Sequence, residues 1–595
     1  METKTCQNCK KDFQIEPEDF KFYEKMQVPP PTWCPECRMV RRMTWRNERT
    51  LYKRKCDATG NEIISMFSTA SPFTIYEHSY WWSDKWDPRD FGKGYNFSKP
   101  FFIQFRELLE SVPLPNLANS NVINSEYGNH NADMKNCYLS YASFGAENVA
   151  YSQGVFNAKD SLDSYNLTDG EQCYEDVLCA KVYKLFFSYD ADDSMDSLFL
   201  KSCKNTNNSL ACVNQRSKSY HIFNEPYSKE EYRKELKNLD FGSYKNLSDF
   251  KKKFGEFVLK YPNRFASIIK STNVVGDMVM NSKNCFYCFD VYDSVEDSKF
   301  ASHAATLKDS YDGYGFGGNA ELLYEGIDSG INASRYKFTA FTHTCHEVNY
   351  TYACHGSSNL FASIGLRSES YCILNRQYTK EEYESLIPKI IKHMNSMPYI
   401  DKKGRVYKYG EFFPPELSPF SYNETIAQEY FPLTKEQAIN QGYSWKDPEP
   451  RNYQVTLKTQ DIPDHIKDAP DSILNDIIQC QHHELGSSTS KCNEQCTEAY
   501  RIIPQELDFL RKQNLPMPRL CPNCRHYQRI KQRNPLKLWH RQCQCAGAKS
   551  ENQVYTNTIA HEHSENHCEN SFETTYAAER SEIVYCEKCY LKEVV

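Results

Sequence analysis

Residues 34–56 read CPECRMVRRMTWRNERTLYKRKC, and residues 521–543 read CPNCRHYQRIKQRNPLKLWHRQC. Each piece opens on a CPxC knuckle, runs through a basic segment and closes on a cysteine at the same distance. A shift of 487 positions lays Cys9–Cys56 on Cys496–Cys543 without a gap. Pro17, Phe22, Pro29 and Pro31 then meet Pro504, Phe509, Pro516 and Pro518, and Asn47 meets Asn534. Only the first ligand slips, because two residues separate Cys6 from Cys9 and three separate Cys492 from Cys496. Self-similarity of this kind marks an internal duplication.

The start, METKTCQNCKKDF, has no apolar h-region, and no apolar run of about 18 residues occurs. The expected setting is therefore cytoplasmic and reducing, without a membrane partner, where cysteine pairs hold metal in preference to forming disulfides. Four thiolates on two knuckles complete a tetrahedral Zn²⁺ and leave no open position, so the sites should be structural. The expected sets are Cys6, Cys9, Cys34, Cys37 and Cys492, Cys496, Cys521, Cys524. A hairpin knuckle followed by CPxC at a helix start has the pattern of a treble-clef or zinc-ribbon module.

Further on, FSTASPFTIY (67–76) answers YAAERSEIVY (576–585), which runs into Cys586 and Cys589. With Cys543 and Cys545 these form a third expected zinc site. The first copy has Cys56, Ala58, Glu77 and Tyr80 there, and the aromatic cluster Tyr80, Trp81, Trp82 and Trp86 in place of a metal. His561, His563, His567 and Cys568 could hold a fourth ion or be polar loop residues.

Between the modules a shorter period takes over. Lys135-Asn136-Cys137, Glu147-Asn148-Val149, Lys159-Asp160-Ser161 and Glu171-Gln172-Cys173 begin 12 residues apart, each before a brief alternating run. Short strands with Asn, Asp and Gly corners predict a parallel β-solenoid, or β-helix, with one or two such units per turn, two being the favoured arrangement. The solenoid is itself doubled: AKDSLDSY at 158 answers LKDSYDGY at 307, and SYHIFNEPYSKEEY at 219 answers SYCILNRQYTKEEY at 370. Cys137, Cys173, Cys179, Cys203, Cys212, Cys285, Cys288, Cys345, Cys354 and Cys372 fall inside these repeats and read as small buried residues. Cys345-His346 with Cys354-His355 is the pair to check for a ligand role.

The resulting reading is mainly β. It has an N-terminal zinc module (1–100), a first solenoid half (120–225), a helical insertion (226–272) and a second half (273–377). A helical, aromatic-rich connector (378–475) and a C-terminal double zinc module (476–595) follow. The connector sequence 411–445 is too apolar for a free linker. Phosphate-loop, dinucleotide, nucleophile-elbow and HExxH signatures are missing from the sequence. The acidic stretch YDADDSMDS (189–197) fits repeat corners better than a carboxylate active site. The expectation is a protein that is not an enzyme, with a β-helix enzyme as the minor alternative.

The chain carries a formal charge of −7, which argues against a uniformly basic coat but leaves room for local stripes. Arg38, Arg42 and Arg46, and Arg525, Arg529 and Arg533, recur at steps of four, with Trp45, Tyr52 and Trp539 interleaved. On a zinc-pinned helix such a row could bridge phosphates, and the aromatics could stack on unpaired bases. Nucleic acid, RNA above DNA, is therefore the first expected partner. The alternative is a scaffold whose zinc modules cap the solenoid and whose faces bind protein or self-associate.

FQIEPEDFKFYEKMQVPPPTWCPECR, YWWSDKWDPRDFG, ELSPFSYNETIAQEYFPLT and SEIVYCEKCY resemble uncharacterised zinc-ribbon proteins of candidate-phylum bacteria. That resemblance covers most of the chain and implies zinc modules. It brings no established activity and no catalytic residues.

Overall fold

The computed structural model describes residues 1–449, 453–485 and 494–594. Its dominant feature is parallel pairing of the chain with itself, in a seven-stranded and a nine-stranded sheet. In the first half Ser120 lies beside Ala132, Tyr165 beside Val177 and Leu198 beside Leu210. Single bridges such as Asn129 to Tyr141, Ala132 to Phe144 and Lys135 to Glu147 fill the intervals. In the second half Lys299 lies beside Tyr311, Ser334 beside His346 and Ser358 beside Ser370.

This register corrects the expectation of two units per turn, since a twenty-four-residue turn would pair each residue with one twice as far along. The reason lies in the corners. Asn157, Asp160, Asp163, Asn166 and Asp169 have φ between 46° and 52°, so the chain turns every third residue. Asn and Asp tolerate that left-handed conformation best among residues with a side chain. Their amides then bond from one turn to the next: Asn136 donates to Asn148 at 3.3 Å, and Asn148 donates to Asp160 at 2.8 Å. Asn281 and Asp293 repeat the contact in the second half at 3.1 Å. Asp190, Asp193 and Asp196 are corner residues too.

Val149, Val155, Leu167 and Cys173 fill the interior of the first stack, and Cys285, Val291, Leu323 and Cys354 that of the second. All ten repeat cysteines are buried. Burial pushes eight of these thiols up, that of Cys203 to about 11, which suits inert packing, while the hydrogen bond between Cys285 and Cys288 moves Cys285 down and Cys288 up. His346 bonds Ser334 Oγ, while His355 packs on Trp82, so the two Cys-His pairs do not converge.

The connector forms core under the N-terminal module, with Phe412, Phe413, Phe420 and Tyr422 buried and Phe413 4.7 Å from the Trp45 ring. Among the described residues no helix is long and apolar enough to cross a membrane.

The modules are tied to both stacks. Ile75–Tyr76 of the first module pairs in parallel with Leu114–Pro115, which leads into the first stack. Val584–Tyr585 of the second pairs in parallel with Asn263–Arg264, which leads into the second stack. The helices dock the other way round. Pro35–Met43 lies on the second stack through Asp312, and Pro522–Ile530 lies on the first through Asp163.

Candidate metal centres

Three groups of four cysteines bring their sulfurs together, all within 4.8 Å of one another. They are Cys6, Cys9, Cys34 and Cys37; Cys480, Cys496, Cys521 and Cys524; and Cys543, Cys568, Cys586 and Cys589. The described cysteines are free thiols. Cys9 and Cys34 are 3.7 Å apart, and Cys496–Cys521, Cys480–Cys524 and Cys568–Cys586 are each 3.9 Å. Zn–S bonds of about 2.3 Å in a tetrahedron put neighbouring sulfurs roughly 3.8 Å apart. The observed spacings match such an edge, and the donor sets fit a soft, tetrahedral ion.

Local structure aims these sulfurs. Cys34 and Cys521 are the N-caps of the two helices, each followed by proline at the first helical position. The positive helix end therefore faces the thiolates. Backbone donors repeat between the copies: Cys34 N to Cys6 Sγ, and Cys521 N to Cys480 Sγ, both at 3.2 Å. Neighbouring thiols hold one member of each group down as thiolate, Cys6 chiefly through Cys34, Cys521 through Cys480 and Cys586 through Cys543.

Cys480 was missed in the sequence, and Cys492 lies outside the described residues. In the first knuckle Cys6 follows the strand Glu2–Thr5 and Cys9 precedes Asp12–Ile15. In the second, Cys480 follows Ile478–Gln479 and Cys496 precedes Ala499–Tyr500. Residues 481–495 thus interrupt a knuckle that is otherwise the same. A signal was present: glutamine follows both Cys6 and Cys480. Gln7 N donates to Thr32 O at 3.0 Å and Gln481 N to Arg519 O at 2.9 Å, at equivalent positions. Replacing Cys480 by serine is expected to release one metal ion per chain by mass spectrometry, whereas Cys492→Ser should release none. The opposite pattern would return the ligand role to Cys492.

The third set also departs from expectation. Cys568, not Cys545, completes the group with Cys543, Cys586 and Cys589. Cys568 N donates to Cys545 O at 2.9 Å, and that contact brings the Cys568 sulfur beside Cys586. Cys545 groups instead with His561, His563 and Cys589. His567 stays apart, with Nδ1 against the Cys568 carbonyl. In the first module Glu77 N still donates to Cys56 Sγ at 3.2 Å, as Cys586 N does to Cys543. Trp81 is fully buried beside Trp82 and Trp86 in this module.

The six arginines of the two stripes are buried: none is more than 9% exposed. Arg38 forms a fork on Asp312, with Nε and Nη2 at 3.0 and 2.8 Å. Arg42 bonds Asp312 and Glu325, both at 3.2 Å, and Arg41 bonds Glu325 and Glu411. In the other copy Arg525 and Arg529 each reach an oxygen of Asp163 at 2.6 Å, and Arg525 also bonds Glu506. Arg46 pairs with Glu48 and Asp328, and Arg533 with Asp290. Rings cover several of these groups, Arg41 over Trp33 and Arg525 over Tyr151. Trp45 is fully buried as well.

Burial acts to lower the pKa of Arg38, Arg46, Arg525 and Arg533, but Asp312, Asp328, Asp163 and Asp290, together with their further neighbours, outweigh it and raise each one. Arg529 moves down, because burial acts together with Arg525 on the shared Asp163. Three arginines face Asp312, Glu325 and Glu411 in one copy, and two face Asp163 and Glu506 in the other, so charge is balanced inside.

A cavity of about 260 Å³ lies between the stacks and the second module, lined by Asp190, Asp192, Asp277, Asp290, Arg533 and Tyr576. Burial pushes Asp192 up to about 6. Asp290 is paired with Arg533, and Asp277 accepts from Thr575.

Fold and site together define a strand-rich protein of parallel sheets with metal-binding cysteine modules at both ends. No family model matches the chain, and no curated protein does. Among solved structures, a "putative acetyltransferase" from Desulfovibrio desulfuricans G20 matches at 11% identity, over 49% of this chain and 86% of that one, with a TM-score of 0.09. A score that low carries no argument about fold or activity.

Proposed function

We propose that this chain is a non-enzymatic zinc scaffold in which two β-solenoid halves are braced side by side by two zinc modules. The observation that carries the reading is the crossed docking. Each module hangs by a strand on the lead-in of one stack and drives its arginine helix into the other. Asp163 and Asp312, which receive the helices, are equivalent positions of the doubled repeat. The duplication therefore supplies two matching staples. The arginines that would have met phosphates are used inside, which favours protein as the partner of the remaining stack faces, where Phe144 and Met195 are exposed. Two of the cavity carboxylates, Asp290 and Asp277, are engaged by Arg533 and Thr575, which supports a structural role for that pair.

The test is fluorescence anisotropy of labelled single- and double-stranded RNA and DNA with the metal-loaded chain across a salt series. The scaffold reading expects no binding that steepens as salt falls. Affinity dropping by orders of magnitude between about 50 and 200 mM salt would imply several phosphate contacts and restore the nucleic-acid reading.

A further inference from the structure

The two groups in the last module share a ligand. Cys543, Cys568, Cys586 and Cys589 make one, and Cys545, His561, His563 and Cys589 make the other. We propose that this module holds two metal ions bridged by the Cys589 thiolate.

Two tetrahedral ions need eight donor positions. The module offers seven donor residues, and counting Cys589 twice supplies the eighth. Distances agree with shared tetrahedra. Cys545 Sγ lies 3.7 Å from His561 Nδ1, and Cys589 Sγ lies 3.5 Å from His563 Nε2. Zn–S of about 2.3 Å and Zn–N of about 2.0–2.1 Å imply an S···N edge of roughly 3.6 Å.

The outer contacts choose which ring nitrogen each histidine presents. His561 Nε2 is 2.8 Å from Glu593 Oε1, which leaves Nδ1 for the ion. His563 Nδ1 is 2.6 Å from the Asn566 carbonyl, which leaves Nε2. Glu593 is itself held by Thr558 N at 2.8 Å and Tyr555 OH at 2.9 Å. A carboxylate or carbonyl behind a ligating imidazole fixes its tautomer and orientation. Asn557 Nδ2 donates to Cys545 Sγ at 3.1 Å and Asn570 Nδ2 to Cys586 Sγ at 3.4 Å. Five thiolates and two neutral imidazoles around two dications leave one net negative charge, which these donors stabilise.

The inference rests on the cysteine groups being metal sites, not on the scaffold reading. Metal content of the full chain, loaded with Zn²⁺ and measured by native mass spectrometry, should be four ions. His561→Ala with His563→Ala should leave three, and His563→Cys should keep four. After loading with ¹¹³Cd²⁺, NMR should show two resonances of this module coupled to each other, and the coupling should vanish in the double histidine variant. Three ions in the parent chain, or four that survive the double variant, would overturn the bridge while leaving the other sites standing. An uncoupled pair of resonances would also overturn it. A chain retaining no zinc at all would instead refute the metal reading of every group.

Discussion

Asp312→Ala is expected to cost about 3–5 kcal/mol, because it leaves Arg38 and Arg42 charged in an interior where each is 1% exposed. The same holds for Asp163→Ala, which strips the carboxylate paired with Arg529. Both effects should appear as an early thermal transition and as loss of hydrogen-exchange protection in the docked helix, Pro35–Met43 or Pro522–Ile530 respectively. Raising salt should change little, since screening acts weakly on buried pairs. Adding Arg38→Met to Asp312→Ala should recover much of the loss, because Arg41 and Arg42 then still balance Glu325 and Glu411 and no unpaired charge is left to bury. Unchanged melting of Asp312→Ala would show that the helix does not depend on this anchor.

Stripping the metal should have the larger effect, confined at first to the modules. Structural zinc in finger peptides contributes on the order of 10–16 kcal/mol of apparent binding free energy that is also folding free energy. With a strong chelator, residues 38–55 and 525–541 should become open to trypsin, since the helices start at Cys34 and Cys521 and lose the ion that fixes those ends. The stacks are held by their own backbone ladders and Asn rows, so the strand signal in circular dichroism should persist. Modules that stay protease-resistant without metal would mean that the buried arginine clusters alone hold them.

How far the sequence reached differs from part to part, for physical reasons. The CPxC knuckles were legible because a tetrahedral ion demands a fixed local spacing, and that demand survives duplication. Cys480 was hidden because fifteen residues separate it from Cys496 where two separate Cys6 from Cys9, which breaks the spacing but not the strand pairing around it. Cys568 was read only with the His561, His563 and His567 cluster for a similar reason: it has no neighbouring cysteine, and only the folded loop carries it to Cys586. The twelve-residue period was plain in the sequence. That residues one period apart pair side by side depended on positive φ at every third residue, which a run of Asn and Asp suggests but cannot count.

The arginine stripes show the limit most clearly. A guanidinium repeated every four residues on a short helix looks the same whether a phosphate or an aspartate awaits it. By itself the sequence determined what is local or periodic: the cysteine pairs, the corner residues, the doubled halves and the row of arginines on one helix face. The tertiary structure alone decided which stack each module meets, and so that Asp312 and Asp163, each hundreds of residues away from its arginines, are their partners. Spacing encodes the shape of an element, whereas the charge across from it is set by how distant elements pack.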